Sequence, residues 1–252
     1  MLGLALIAGT LAVLGAIGAS AALMRTPAYD AETLCLNDRP PPAHTLVLVD
    51  ATDRLDVRHQ RRLKSIVQQE AARLPRWGRL TLLTLRPDAE NAPRALFSGC
   101  TPGDRTTASP LWENVRKLET QKRTRFDEPI DAALTGARGG RSAEGSPIVE
   151  GLYAAAAEPE FVATPQGRRL VLVSDLLQFA PGRFSLYAPD QSWALYRSSP
   201  GALRTPPDLT AVDVRVVVLE RRDKGERQTA AQRDFWVPYF EAAGAKSVAW
   251  ER

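Results

Sequence analysis

Histidine, cysteine and lysine are scarce in this chain, and each scarcity closes off a class of chemistry. The 252 residues hold two histidines, His44 and His59, two cysteines, Cys35 and Cys100, and five lysines. Neither cysteine belongs to a Cys-x-x-Cys pair and no histidine lies near enough in sequence to suggest a zinc site. The thiols read first as small apolar residues, of interest as a disulfide only if the fold brings them together. Also missing are a Gly-x-Ser-x-Gly elbow, a Gly-Lys-Ser/Thr phosphate loop and a His-Glu-x-x-His helix. With so few lysines among 33 basic residues, the arginine excess belongs to the whole chain rather than to one site. Its densest run, "RHQRRLK" at 58–64, falls on a helix whose apolar positions Leu63, Ile66, Val67, Ala71 and Leu74 repeat at helical spacing. Those arginines read as its solvated face, and no nucleic-acid partner is expected.

Charge is absent from residues 2–24, "LGLALIAGTLAVLGAIGASAALM", as is proline. At 1.5 Å per residue such a helix can cross the roughly 30 Å hydrocarbon core of a bilayer. Ala19-Ser20-Ala21 offers a cleavage pattern, yet no basic residue precedes the run, which is long for a signal peptide. Residues 1–24 are therefore expected to be a transmembrane helix or signal anchor. The small residues Ala8, Ala12, Ala16 and Ser20, four apart, would let two such helices approach and leave a homo-oligomer open. Residues 25–43, ending in "RPPPAH", read as a Pro-rich, semi-rigid linker. Arg25 favours a cytoplasmic side for the domain after it, although long domains translocate regardless of charge.

From residue 44 the pattern alternates. Strands are expected at 45–50, 79–86, 94–98, 169–174, 212–219 and 246–250. Helices are expected at about 56–74, 110–138, from 147, and 229–243. This is the signature of an α/β domain over 44–252, a doubly wound, mainly parallel sheet of about six strands with helices on both faces. "PDAENAP" is too short for a crossover helix, so the second and third strands should form a hairpin with an antiparallel edge.

The run Leu46, Val47, Leu48, Val49 is built for a strand buried on both faces, and it ends in "DATDR". Ligand sites in such sheets lie at the carboxyl ends of the strands, where Asp50 and Thr52 stand. A second aliphatic strand, "RRLVLVSD", ends in Asp175, and "EGSPIVEGL" places Ser146 just before a helix. Carboxylate and hydroxyl oxygens from three loops at one rim suit a hard cation such as Mg²⁺ or another divalent ion. Simpler roles exist for some of them: Thr52 or Asp53 as a cap of the first helix, Ser146-Pro147 as an ordinary helix start.

In order and spacing these residues resemble the von Willebrand factor A domain, over roughly residues 45–252. That family reads Asp-x-Ser/Thr-x-Ser after its first strand, Thr or Ser in a Gly-containing loop, and Asp after its fourth strand. Asp50, Thr52, Ser146 and Asp175 take those places. The resemblance implies a Rossmann-like sheet, a metal-ion-dependent adhesion site, and a partner protein whose carboxylate completes the metal shell. Arg54 departs from it, standing where the family has a coordinating serine, and a guanidinium cannot ligate a cation. It would either pair with Asp50 or Asp175, leaving a degenerate, metal-free site, or point to solvent. The family's sheet order also implies that Cys100, just past the third strand, lies near the linker that carries Cys35, so that the two could bridge in an oxidising compartment.

The connection 176–210 is broken by prolines and carries Phe179, Phe184, Tyr187, Trp193 and Tyr196. Leaving the rim with aromatics and arginines, it has the composition of a partner-binding loop, though such residues could equally pack the loop onto the domain. A protein-interaction module without catalysis of its own is thus expected. It would be held at a bacterial inner membrane with its soluble domain in the periplasm, and its partner would be another membrane-associated protein. The alternative is a phosphoryl-transfer or hydrolytic enzyme centred on Asp50. Haloacid-dehalogenase-like phosphatases want a second carboxylate two residues on, where this chain has Thr52, and both histidines are expected away from the rim.

Overall fold

The computed structural model describes residues 2–23, 27–85, 93–109, 113–137 and 145–252, and within the first helix only the side chains of residues 3, 7, 9–16 and 18. The strands are β1 His44–Asp50, β2 Arg79–Leu85, β3 Arg94–Cys100, β4 Arg168–Ser174, the two-residue β5 Phe179–Ala180 and β6 Phe184–Ser185, β7 Val212–Val218 and β8 Ser247–Glu251. The helices are α1 Leu2–Leu23, α2 Val57–Arg73, α3 Val115–Lys122, α4 Glu128–Gly136, α5 Ile148–Ala156, α6 Pro159–Val162, α7 Trp193–Ser198, α8 Gly225–Ala230 and α9 Val237–Ala242. Single π-helical stretches, Arg123–Asp127 and Ala231–Trp236, join α3 to α4 and α8 to α9.

Six strands form one sheet in the order β3-β2-β1-β4-β7-β8. All pairs are parallel except β2 with β3, the expected hairpin, whose register shifts between Leu82 and Leu83. The connecting segment "PDAENA" lies outside the described residues. The chain leaves β1 toward β2 on one side and returns to β4 on the other. The order therefore reverses between β1 and β4, which is where open α/β sheets form their ligand crevice.

Period-two alternation sorts the aliphatic strands onto two cores. Leu46 and Leu48 of β1 and Leu170 and Leu172 of β4 join one face, Val47 and Val49 with Val171 and Val173 the other. The first face is covered by α5 and by an aromatic layer of Trp193, Tyr196, Phe235, Trp236, Tyr239 and Phe240. The second is covered by Leu63, Ile66 and Val67 of α2 and by Phe126, Ile130 and Leu134 around α4. Each of these side chains stabilises the fold by about 1.5–3 kcal/mol through burial. Gly151 of α5 lies so close to the sheet that a Cβ there would stand 2.3 Å from Leu85 Cδ2, which fixes the seat of the helix that follows Ser146.

One expectation is corrected at the amino-terminal end. Residues 27–43, expected as a semi-rigid linker that a disulfide could pin, pack on the domain: Leu34 and Pro41 are buried, Cys100 N donates to Thr33 O at 2.7 Å, and Arg125 Nη1 donates to Ala31 O at 2.6 Å. Cys35 and Cys100 form a disulfide with Cα atoms 4.9 Å apart. The apolar segment is helical, but the expected membrane span is not found: among the described residues no helix is long and apolar enough to cross a membrane. The side chains of Leu2, Leu4, Ala5 and Leu6, together with Ala8 and Ser20 of the small-residue ladder, lie outside the described set.

Candidate functional site

The register sets the site. Val49 of β1 pairs with Val173 of β4, so the next residues along, Asp50 and Ser174, stand side by side at the carboxyl ends of the two central strands. Asp50 is buried, and its carboxylate is held by four donors. Thr52 donates to Oδ1 through its backbone N at 3.1 Å and its hydroxyl at 2.5 Å. Ser146 and Ser174 donate their hydroxyls to Oδ2 at 3.0 and 2.9 Å. Three of the four expected residues are thus joined directly. Ser174 is an addition, readable from its place immediately before Asp175.

Ser146 reaches Asp50 because it does not cap α5. Its backbone exchanges two hydrogen bonds with Phe179, at 2.8 and 2.9 Å, which pins the loop entering α5 to the loop leaving β4. Nor does Thr52 or Asp53 cap α2; Asp56 does, accepting from His59 N at 2.7 Å.

Asp175 lies beside this group and has a different partner. Its Oδ1 accepts from Leu177 N at 2.9 Å, and its Oδ2 from Arg221 Nη1 at 3.1 Å. The same nitrogen stands 2.5 Å from Asp53 Oδ2 and 3.2 Å from the Tyr187 hydroxyl. Arg221 enters from the loop after β7, the third parallel strand to end at this rim. Buried Gln228 fixes that loop by donating to the carbonyls of Asp175 and Leu219, both at 2.9 Å, and accepting from Arg221 N at 3.0 Å. Between the acids and the loop, Leu176 holds a left-handed backbone with φ 68°, a strained conformation for a branched residue, secured by Trp236 Nε1 donating to its carbonyl at 2.8 Å.

The charges respond to this packing. Burial, and after it the neighbouring Asp50, pushes the Asp175 carboxyl up to about 6 against the pull of the Leu177 N–H and Arg221. Burial and then the Asp175 charge push the Tyr187 phenol up to about 12. Burial alone would lower Arg221, but its hydrogen bond to Asp175 and the surrounding acids hold it above its ordinary value.

Arg54 takes the second of the two courses open to it: it is exposed and makes no ion pair or hydrogen bond among the described residues, because the turn ahead of α2 carries its long side chain toward solvent. The guanidinium within reach of the rim acids is Arg221. His59 is corrected: it lines the rim cavity, since α2 begins at the carboxyl end of β1. Of the loop aromatics, Phe184, Trp193 and Tyr196 are buried and belong to the core. A connection whose helix α7 is only six residues long must cover that face of the sheet with bulky side chains, and these rings do so. Phe179 and Tyr187 remain half-buried at the rim, their ring centroids 6.0 Å apart.

Asp50, Thr52, Ser146, Asp175 and Arg221 line one cavity of about 690 Å³, with Arg54, Arg58 and Arg222 along its wall. Among the described residues no group of three or more histidine, cysteine, aspartate or glutamate side chains is placed to hold a metal ion. The hydroxyls around Asp50 keep lone pairs that could face a cation, so they do not exclude one. Arg221 does: a divalent ion joining Asp175 would sit beside a fixed positive charge already hydrogen-bonded to that carboxylate. The donor set fits a guanidinium and not an additional Mg²⁺. Comparison with protein-family models finds no match to this chain, and comparison with curated proteins finds none either.

Proposed function

We propose that the chain is a membrane-tethered protein-interaction module whose binding surface is the cleft at the carboxyl ends of β1, β4 and β7. The observation that carries this reading is the 690 Å³ cavity at the strand-order reversal, floored by the held Asp50 and walled by Arg54, Arg58 and Arg222. These three arginines are exposed and make no ion pair with a described residue, which leaves them available to a partner. The arrangement agrees with the likeness to von Willebrand factor A domains in the chain order of Asp50, Thr52, Ser146 and Asp175. Support for an attachment to the membrane comes from α1, which carries no charged residue and exposes Ile7, Leu11, Val13 and Leu14. Support for an oxidising side of the membrane comes from the disulfide.

One observation favours the enzyme reading: Asp175, raised to about 6, is a group that could donate or accept a proton near neutrality. Against it stands Asp50. A carboxylate that is 6% exposed and accepts four hydrogen bonds has little freedom to attack a phosphoryl or acyl centre. Purified protein assayed with a generic phosphoester tests the choice. No turnover is expected, whereas turnover that disappears in Asp50→Ala would establish the enzyme.

A further inference from the structure

We propose that Arg221 is the resident cation of this rim, standing where the family resemblance implies a divalent ion, so that the site works without a metal. The inference rests on reading the rim as the functional site, but it concerns how the rim is held together rather than which partner it meets.

Four facts carry it. Nη1 of Arg221 is within hydrogen-bond distance of Asp53, Asp175 and Tyr187 at once, so a single positive nitrogen gathers oxygens from the loops after β1 and β4 and from the long connection. This is the gathering that a bound ion would otherwise perform. The backbone that carries Arg221 is fixed by Gln228, whose carboxamide spans the β4 and β7 loops through three backbone groups. Arg221 is therefore pre-positioned, unlike exposed Arg54. The Leu177 N–H holds Asp175 Oδ1 while Oδ2 meets Arg221. Finally, Arg221 cannot lose its proton near neutral pH, so its charge is as permanent as that of an ion.

Nε and Nη2 of Arg221 have no hydrogen-bond partner among the described residues, although the side chain lines both the main cavity and a smaller one of about 310 Å³ beside Phe179. An acceptor on a bound partner would meet planar N–H donors there, not a coordination shell, and binding would survive chelation.

The test is the melting temperature of the full chain, in detergent, in millimolar MgCl₂ against EDTA at matched ionic strength. Wild type and Arg221→Lys should show no Mg²⁺-dependent rise. Arg221→Ala should gain one that saturates with concentration, and Asp175→Asn placed on top of it should remove the gain. Should Arg221→Ala fail to fold, calorimetric titration of the wild type with Mn²⁺ decides. Absence of a saturable heat supports the resident guanidinium, and a saturable heat overturns it. A wild type stabilised by Mg²⁺, or an Arg221→Ala protein that folds and gains nothing, also overturns it. None of these readouts involves a partner, so a failure here leaves the interaction reading to its own test.

Discussion

The side-chain amide of Gln228 lies 2.9 Å from the carbonyl oxygen of Asp175, joining the loop after β7 to the loop after β4 across the mouth of the cavity. The same residue serves Leu219 O and Arg221 N, so three backbone groups depend on one buried side chain. Gln228→Ala should leave them unpaired and cost about 1–3 kcal/mol in denaturant unfolding. Gln228→Glu keeps the acceptor for Arg221 N but turns a carboxylate oxygen toward the carbonyls of Asp175 and Leu219, so it should cost at least as much as Gln228→Ala near neutral pH.

The disulfide closes a loop of 65 residues and holds the segment around Thr33 against β3. Its removal in Cys35→Ser or Cys100→Ser should cost about 4 kcal/mol in the chain-entropy model. Neither thiol should react with a maleimide in the unreduced native protein, and labelling of both would show the bridge absent in solution.

Two groups give stability opposite dependences on pH. Burial pulls buried His44 down to about 4 from 6.5. Its folded form resists protonation, so its contribution is complete above pH 6.5 and is lost as pH falls toward 4, by about 3 kcal/mol. Asp175 is raised from 3.8 to about 6, so its contribution is complete below pH 3.8 and is lost as pH rises through 6. Between pH 4 and 6 the slopes should largely cancel in the wild type. His44→Gln should lose stability on going from pH 4 to 6, and Asp175→Asn should gain it over the same range. Parallel pH profiles for all three proteins would contradict both shifts.

Glu70 of α2 is fully buried and pairs with Arg215 of β7 at 2.6 Å, Arg169 of β4 at 3.0 Å and Arg73 at 3.2 Å. Arg215 continues to Glu251 of β8 at 2.5 Å. Removing one member of a buried network leaves charge uncompensated, so Glu70→Leu should cost about 3–5 kcal/mol. In the double variant Glu70→Leu, Arg215→Leu most of the loss should return, as a double-mutant cycle would register.

The architecture could be read ahead because the strands announce themselves. Leu46–Val49 and Leu170–Val173 are aliphatic on both faces, as is the Val216–Val218 end of β7, and a parallel sheet covered by two helix layers buries such runs. Asp50, Thr52 and Ser146 were legible for the same reason, since each stands at the end of a strand or the start of a helix. Arg221 was not. It follows β7 by three residues, and one more arginine in an arginine-rich chain carries no signal until the parallel order of β1, β4 and β7 shows that it ends at the same rim. Arg54 stayed open between pairing and solvent because its place in the motif said nothing of where its side chain would turn. The aromatics of 176–210 were ambiguous for a physical reason: rings that cover a sheet and rings that grip a partner have the same composition, and only burial separates Trp193 from Tyr187.

The most direct test of the rim as the interaction surface is photo-crosslinking from the full chain inside cells. A photoreactive amino acid in place of Arg54 or Arg222, both exposed on the cavity wall, is compared with one in place of Val162, exposed on α6 near the opposite end of the sheet. The account predicts one discrete protein adduct from positions 54 and 222, lost when Asp175→Ala is added, and none from 162. An adduct from 162 with none from the rim would contradict it.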